Sequence, residues 1–133
     1  MIAPGPLFRE TRSLTQADFD LFARVSGDDN PIHVDDAFSA RTRFGRTVSH
    51  GMLLYTVLWG LIRRHVPDAR QTSQTLMFPA PAFAGEPLVF SGVVEETDGA
   101  RATIALRIMR AADATPVCEA TASIQAGSTR HAG

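Results

Sequence analysis

The chain has 133 residues, 44% of them hydrophobic and 20% charged, which sets the expectation of one soluble globular domain over 1–133 able to bury a core without staples. A net charge of −1 with no basic run argues against general nucleic-acid binding. The one cysteine, Cys118, excludes an internal disulfide and a CxxC-type metal site.

Residues 1–6 (MIAPGP) read as a loose arm and lack the basic-then-apolar pattern of a secretory signal. Leu7 to Leu14 is a candidate first strand. Thr15 to Asp18 has the form of a capping box, a hydroxyl for free amides with an acid three residues later. Phe19, Phe22, Ala23 and Val25 then fall on one face of a predicted helix that Gly27 stops. Pro31 keeps Asn30 out of the helical region, so 27–33 is expected to be an ordered loop. Asp35 to Arg41 reads as a short helix, acidic at its start and basic at its end.

His50 to Arg64 is the most apolar helix candidate, with almost no polar face, and is expected to be buried on most sides. The longest apolar run lies within 52–62, too short to span a bilayer, so a cytoplasmic location without membrane partners is the expectation. After Pro67 the period changes. Thr72 to Phe78, Pro87 to Glu96, Arg101 to Arg110 and Pro116 to Gln125 read as strands, the third with Ala102, Ile104, Leu106 and Ile108 in strict alternation. Prolines and glycine make 79–87 a stiff break, and 126–133 reads as a frayed tail. One buried helix followed by four strands, with a fifth from the N-terminal segment, implies an α+β fold. In it the helix covers one face of an antiparallel sheet.

Asp28 and His33 flank a proline five residues apart, a compact way to set a carboxylate beside an imidazole for acid–base work. The plain structural reading stays open: Asp28 caps a turn and His33 is a buried structural histidine. Asn30 orients a water or the acid, or forms an Asx-turn before proline. His50-Gly51 opens the apolar helix, where a free amide and the helix dipole would stabilise a developing oxyanion; the alternative is a glycine that eases a tight turn. A metal site from His33, Asp35, Asp36 and His50 has suitable ligand types but no HExxH-like spacing. No G-x-S-x-G elbow supports a serine triad, and Cys118 reads as core. Arg43, Arg46 and Arg70 flank the region and are candidates for phosphate contacts, or simply exposed arginines.

The order Ser26-Gly27-Asp28-x-Asn30-Pro31-x-His33-x-Asp35, then Ala37-Phe38, then Val48 to Leu53 (VSHGML), resembles the MaoC-like (R)-specific enoyl-CoA hydratases. Phe78, Pro81, Phe83, Gly85 and Glu86 extend the match over nearly the whole chain. The resemblance implies a hot-dog fold, usually a homodimer with sheets joined edge to edge. It also implies reversible syn addition of water to a trans-2-enoyl thioester, without metal or redox cofactor. By motif position it makes Asp28 and His33 the acid–base pair and assigns the thioester carbonyl oxygen to the Gly51 amide, with Asn30 in support. Some members carry a serine nine residues after the histidine of the HG pair; here that position is Trp59, which puts the acyl pocket's shape in question. The thioester carrier is coenzyme A or, for the reverse dehydration, an acyl carrier protein. A hot-dog thioesterase is disfavoured because such enzymes typically lack this Asp/His pair, and a non-catalytic acyl-binding subunit because Asp28, His33 and Gly51 occur together.

Overall fold

A computed structural model describes residues 2–126. Strand β1 spans Gly5–Ser13, followed by helices α1 (Gln16–Ser26), α2 (Pro31–Val34), α3 (Asp36–Ala40) and α4 (Gly51–His65). Strands β2 (Arg70–Met77), β3 (Pro87–Asp98), β4 (Arg101–Arg110) and β5 (Pro116–Gln125) follow. The strands form one antiparallel sheet in the order β1-β3-β4-β5-β2. Helix α4 lies against it, packing on β1, β3 and β5. This is the α+β hot-dog arrangement, a sheet wrapped on a central helix.

Alternation in β4 works as its sequence requires. Ala102, Ile104, Leu106 and Ile108 are buried, while Arg107 faces out and pairs with Glu119 across the register at 3.1 Å. The inward set meets Leu54, Leu58, Leu61 and Ile62 of α4 in one core. Gly92 makes room in it: a Cβ there would stand 2.6 Å from the Phe8 ring on the neighbouring strand. Cys118 is fully buried in this layer, and burial pushes its thiol up to about 12.

Four expectations need correction. The first strand begins at Gly5, inside the stretch read as a loose arm. Val25 is 77% exposed, because six residues past Phe19 is 240° around the helix from the buried face. Residues 31–34 form a turn of helix rather than loop. Helix α4 keeps an exposed row at Met52, Thr56, Gly60 and Arg64, the i, i+4 line pointing away from the sheet. Of the expected tail only Ala126 lies within the described residues; its amide donates to the Ala100 carbonyl at 2.7 Å. Among the described residues no helix is long and apolar enough to cross a membrane.

Candidate active site

A series of local devices brings Asp28 and His33 together. Helix α1 starts at the capping box: the Asp18 amide donates to Thr15 Oγ1 at 3.1 Å and the Thr15 amide to Asp18 Oδ2 at 2.8 Å. It stops at Gly27, whose φ of 82° is left-handed and whose amide donates to the Ala23 carbonyl. Glycine takes that conformation at little cost, and the turn delivers Asp28 just beyond the helix end. Asn30 then caps α2, its Oδ1 accepting from the Ile32 amide at 3.1 Å. This is the Asx-type role, and Pro31 at the first helical position forfeits no bond.

One turn on, the Nδ1 of His33 lies 2.8 Å from the Val48 carbonyl oxygen. A carbonyl only accepts, so Nδ1 holds the proton and the neutral ring's lone pair sits on Nε2. That lone pair faces Asp28 Oδ2 at 3.9 Å. The gap is too long for a direct bond and suits two acceptors sharing one proton or one water. The Asp28 side chain is 56% exposed and that of His33 11%, so the pair opens to solvent from the aspartate side.

Gln16, Ser39 and Thr47, none of them singled out by sequence, hold this arrangement together with the Val48 main chain. Gln16 donates to the His33 carbonyl at 2.8 Å and accepts from Thr47 Oγ1 at 2.6 Å. The Val48 amide and Ser39 Oγ both donate to the Ile32 carbonyl. Ser39 and Thr47 are buried polar residues, a signal of burial that sequence does not carry. Val48 acts through its main chain, which leaves no trace in residue type.

His50 is the N-cap residue of α4 and only 2% exposed. Its Nε2 donates to the Asp28 carbonyl at 2.8 Å, and its Nδ1 is buried without a partner. The ring stacks on His33 at 3.8 Å and 22°, with the Phe22 ring edge-on at 4.9 Å. Burial holds the His50 pKa below the usual histidine value, against the opposing hydrogen bond to Asp28. Its side chain is therefore committed inside the protein.

Asp28, His33 and His50 offer ligand atoms within 4.8 Å of one another. The donor set does not fit a metal ion, however. Stacked imidazoles direct their in-plane lone pairs side by side, whereas a metal needs them convergent. Asp35 and Asp36 do not join the cluster: Asp35 caps α3 through Phe38, and Asp36 opens that helix.

Gly51 begins α4, and no side chain caps that end, so first-turn amides remain open as donors. A Cβ at Gly51 would stand 2.8 Å from the Phe78 ring. A cleft of about 270 Å³ runs beside it, lined among others by Arg43, Phe44, Ser49, Gly51 and Phe78. Arg43 and Arg46 lie over the rings of Phe44 and Phe83 at 4.9 and 4.1 Å, while Arg70 is exposed at the start of β2. Trp59 is half-buried and packs against the core.

Residues 2–114 match the family described as MaoC like domain. A mitochondrial 3-hydroxyacyl-[acyl-carrier-protein] dehydratase of Arabidopsis thaliana is 33% identical over 89 residues, 67% of this chain and 54% of that protein. An (R)-specific enoyl-CoA hydratase of Aeromonas caviae is 37% identical over 84 residues, 62% of this chain and 63% of that protein. The chain thus matches between half and two thirds of the length of these relatives. Among solved structures, the R-hydratase PhaJ1 of Pseudomonas aeruginosa superposes with a TM-score of 0.87 at 33% identity, over 94% of this chain and 82% of that one. On the match over most of its length and the shared hot-dog architecture, the chain belongs to the MaoC-like domain family.

Proposed function

We propose that the chain is a lyase that reversibly adds water to trans-2-enoyl-CoA, giving the (R)-3-hydroxyacyl-CoA. The observation that carries the reading is the facing of Asp28 Oδ2 and His33 Nε2 across 3.9 Å, beside the open amide end of α4 at Gly51. Water held in that gap attacks the β-carbon while the pair takes its proton. The electron pair of the double bond moves toward the α-carbon and the thioester oxygen, where the Gly51 amide stabilises the charge. The pair then returns one proton to the α-carbon. Both transfers use one site on one face, which accounts for syn addition, and neither calls for a metal or redox cofactor. Asn30 supports the pair by capping the turn that carries His33.

The test is the absorbance of the conjugated enoyl thioester after protein is added to crotonyl-CoA. Its loss, with an (R)-3-hydroxy product on chiral analysis, is the expected result. Release of free thiol would identify a thioesterase instead, and no change in absorbance would leave an acyl-binding module. The Arabidopsis thaliana relative favours a second reading, dehydration of a 3-hydroxyacyl group on an acyl carrier protein by the same residues. Parallel assays of the two carriers at equal acyl length separate them.

We also infer a homodimer. Strand β2 is a sheet edge, and all of its residues but Leu76 are exposed. Such an edge offers unpaired amides and carbonyls to a second strand. Light scattering at working concentration should return a dimer mass, and a clean monomer mass would refute it.

A further inference from the structure

His50 touches both members of the pair, yet its side chain is almost fully buried. We propose that His50 is a positioning residue that acts as a neutral plate. Its ring fixes the plane of His33, and its Nε2–H fixes the Asp28 main chain, so Oδ2 and Nε2 stay face to face. The inference rests on the reading of Asp28 and His33 as the acid–base pair.

Three observations carry it. First, the 3.8 Å stack leaves His33 little freedom to rotate about its Nδ1–H bond to Val48. Second, among the described residues the donor from His50 Nε2 is the one side-chain bond to the Asp28 carbonyl, on an otherwise solvent-facing residue. Third, α1 closes over the plate with Phe22 at 4.9 Å and Phe19 at 6.5 Å, both edge-on, which holds the ring without offering it charge. The titratable groups that face His50 are His33 from α2 and Asp28 from the preceding turn. Two stacked imidazoles that close cannot both be cations without strong repulsion. Burial keeps His50 the neutral one of the two, so the plate adds no positive charge beside the pair.

Three substitutions separate the two contacts. His50→Gln keeps a donor for Asp28 but removes the stack, His50→Phe keeps the stack but removes the donor, and His50→Ala removes both. On crotonyl-CoA the first two should lower kcat by roughly tenfold each and Ala by roughly a hundredfold, the scale of small misplacements of reacting groups, with KM little moved. Nitrogen NMR of His33 gives the readout that a merely structural role would leave unchanged. The wild type should show the single Nδ1–H tautomer, and His50→Gln, which lacks the stack, a mixture of both. If His50→Ala fails to fold, the Gln and Phe variants decide alone.

Wild-type turnover and an unmoved His33 signal in both would overturn the proposal. So would a loss in His50→Phe as large as in His33→Gln with His33 still a single tautomer, since His50 would then carry protons itself. Failure of the underlying reading looks different: Asp28→Asn and His33→Gln would themselves retain turnover.

Discussion

The two ends of α4 are finished in opposite ways. At the C-terminal end the Val66 amide donates to the Ile62 carbonyl, Arg63 Nε to Pro67 at 2.8 Å and His65 Nδ1 to Leu61 at 3.0 Å. Arg64 reaches Glu10 at 3.3 Å, and three basic residues in the last turn oppose the helix dipole. At the N-terminal end no side chain caps the helix, although Ser49 stands one residue before the cap position; its hydroxyl donates to the His50 carbonyl instead. The N-cap side chain itself turns to Asp28. A missing N-cap costs about 1 kcal/mol. The lesson is that the chain closes the end far from Asp28 and His33 and leaves donors open at the end beside them.

The sharpest test sets the open end against the fold. Asp28→Asn and His33→Gln should each lower kcat by ~10²-fold or more, the range of a general acid or base, with the melting temperature nearly unchanged. Near-wild-type turnover of either folded variant on a short enoyl-CoA would remove the functional half of the comparison.

Trp59 sits between the two ends, two and a half turns from His50. If its ring borders the acyl channel it should favour short chains. Trp59→Ala should then raise turnover of medium-chain enoyl-CoA relative to crotonyl-CoA by about tenfold, a size typical of pocket reshaping. A half-buried indole also packs on the core, so a destabilisation of ~3 kcal/mol should accompany the change. An unchanged chain-length profile with the stability loss alone would make Trp59 plain core.

Gly51 tests what the open end needs room for. Gly51→Ala puts a methyl against the Phe78 ring and should lower kcat/KM by about tenfold through displacement of the amide. Adding Phe78→Ala should restore most of it if the ring is the obstacle. No restoration would mean that the methyl meets the substrate itself.

How much of this was legible follows from how local each feature is. Thr15 with Asp18, Gly27 as a stop and the alternation of β4 involve residues a few positions apart, and sequence shows them directly. Asp28 and His33 were legible because one proline turn joins them. The His50–His33 stack, the Val48 carbonyl and the Gln16–Thr47 bond link residues 15 to 31 apart. Their partners are chosen by packing, which residue type does not encode. Helix α2 is illegible for a different reason: four residues are fewer than a helical pattern needs, and Pro31 signals a break as readily as a start.

The buried histidine makes the open end sensitive to acid. The folded-state pKa of His50 lies below the ordinary 6.5. Between 6.5 and that lower value the unfolded chain binds a proton that the folded chain refuses. Stability from this group is complete above about pH 6.5 and is lost as the pH falls through the window. Urea melts of wild type and His50→Phe over pH 7.5 to 5 should therefore converge on acidification, in the sense that the wild type loses more. Parallel curves would mean that His50 titrates normally.

The smallest effect is expected at the closed end. Arg63 is exposed, and its one bond among the described residues goes to a carbonyl just past the helix. The Val66 amide already closes the last turn without it, and Arg64 and His65 remain to oppose the dipole. Arg63→Ala should therefore change unfolding free energy by less than ~0.5 kcal/mol, as for most surface substitutions, and leave kcat untouched. Denaturant melts and the crotonyl-CoA assay measure both. A drop in kcat without a change in stability would mean that disturbance at the closed end travels some fifteen residues to the open one. The two ends would then have to be treated as one coupled element, and the contrast between them would lose its meaning.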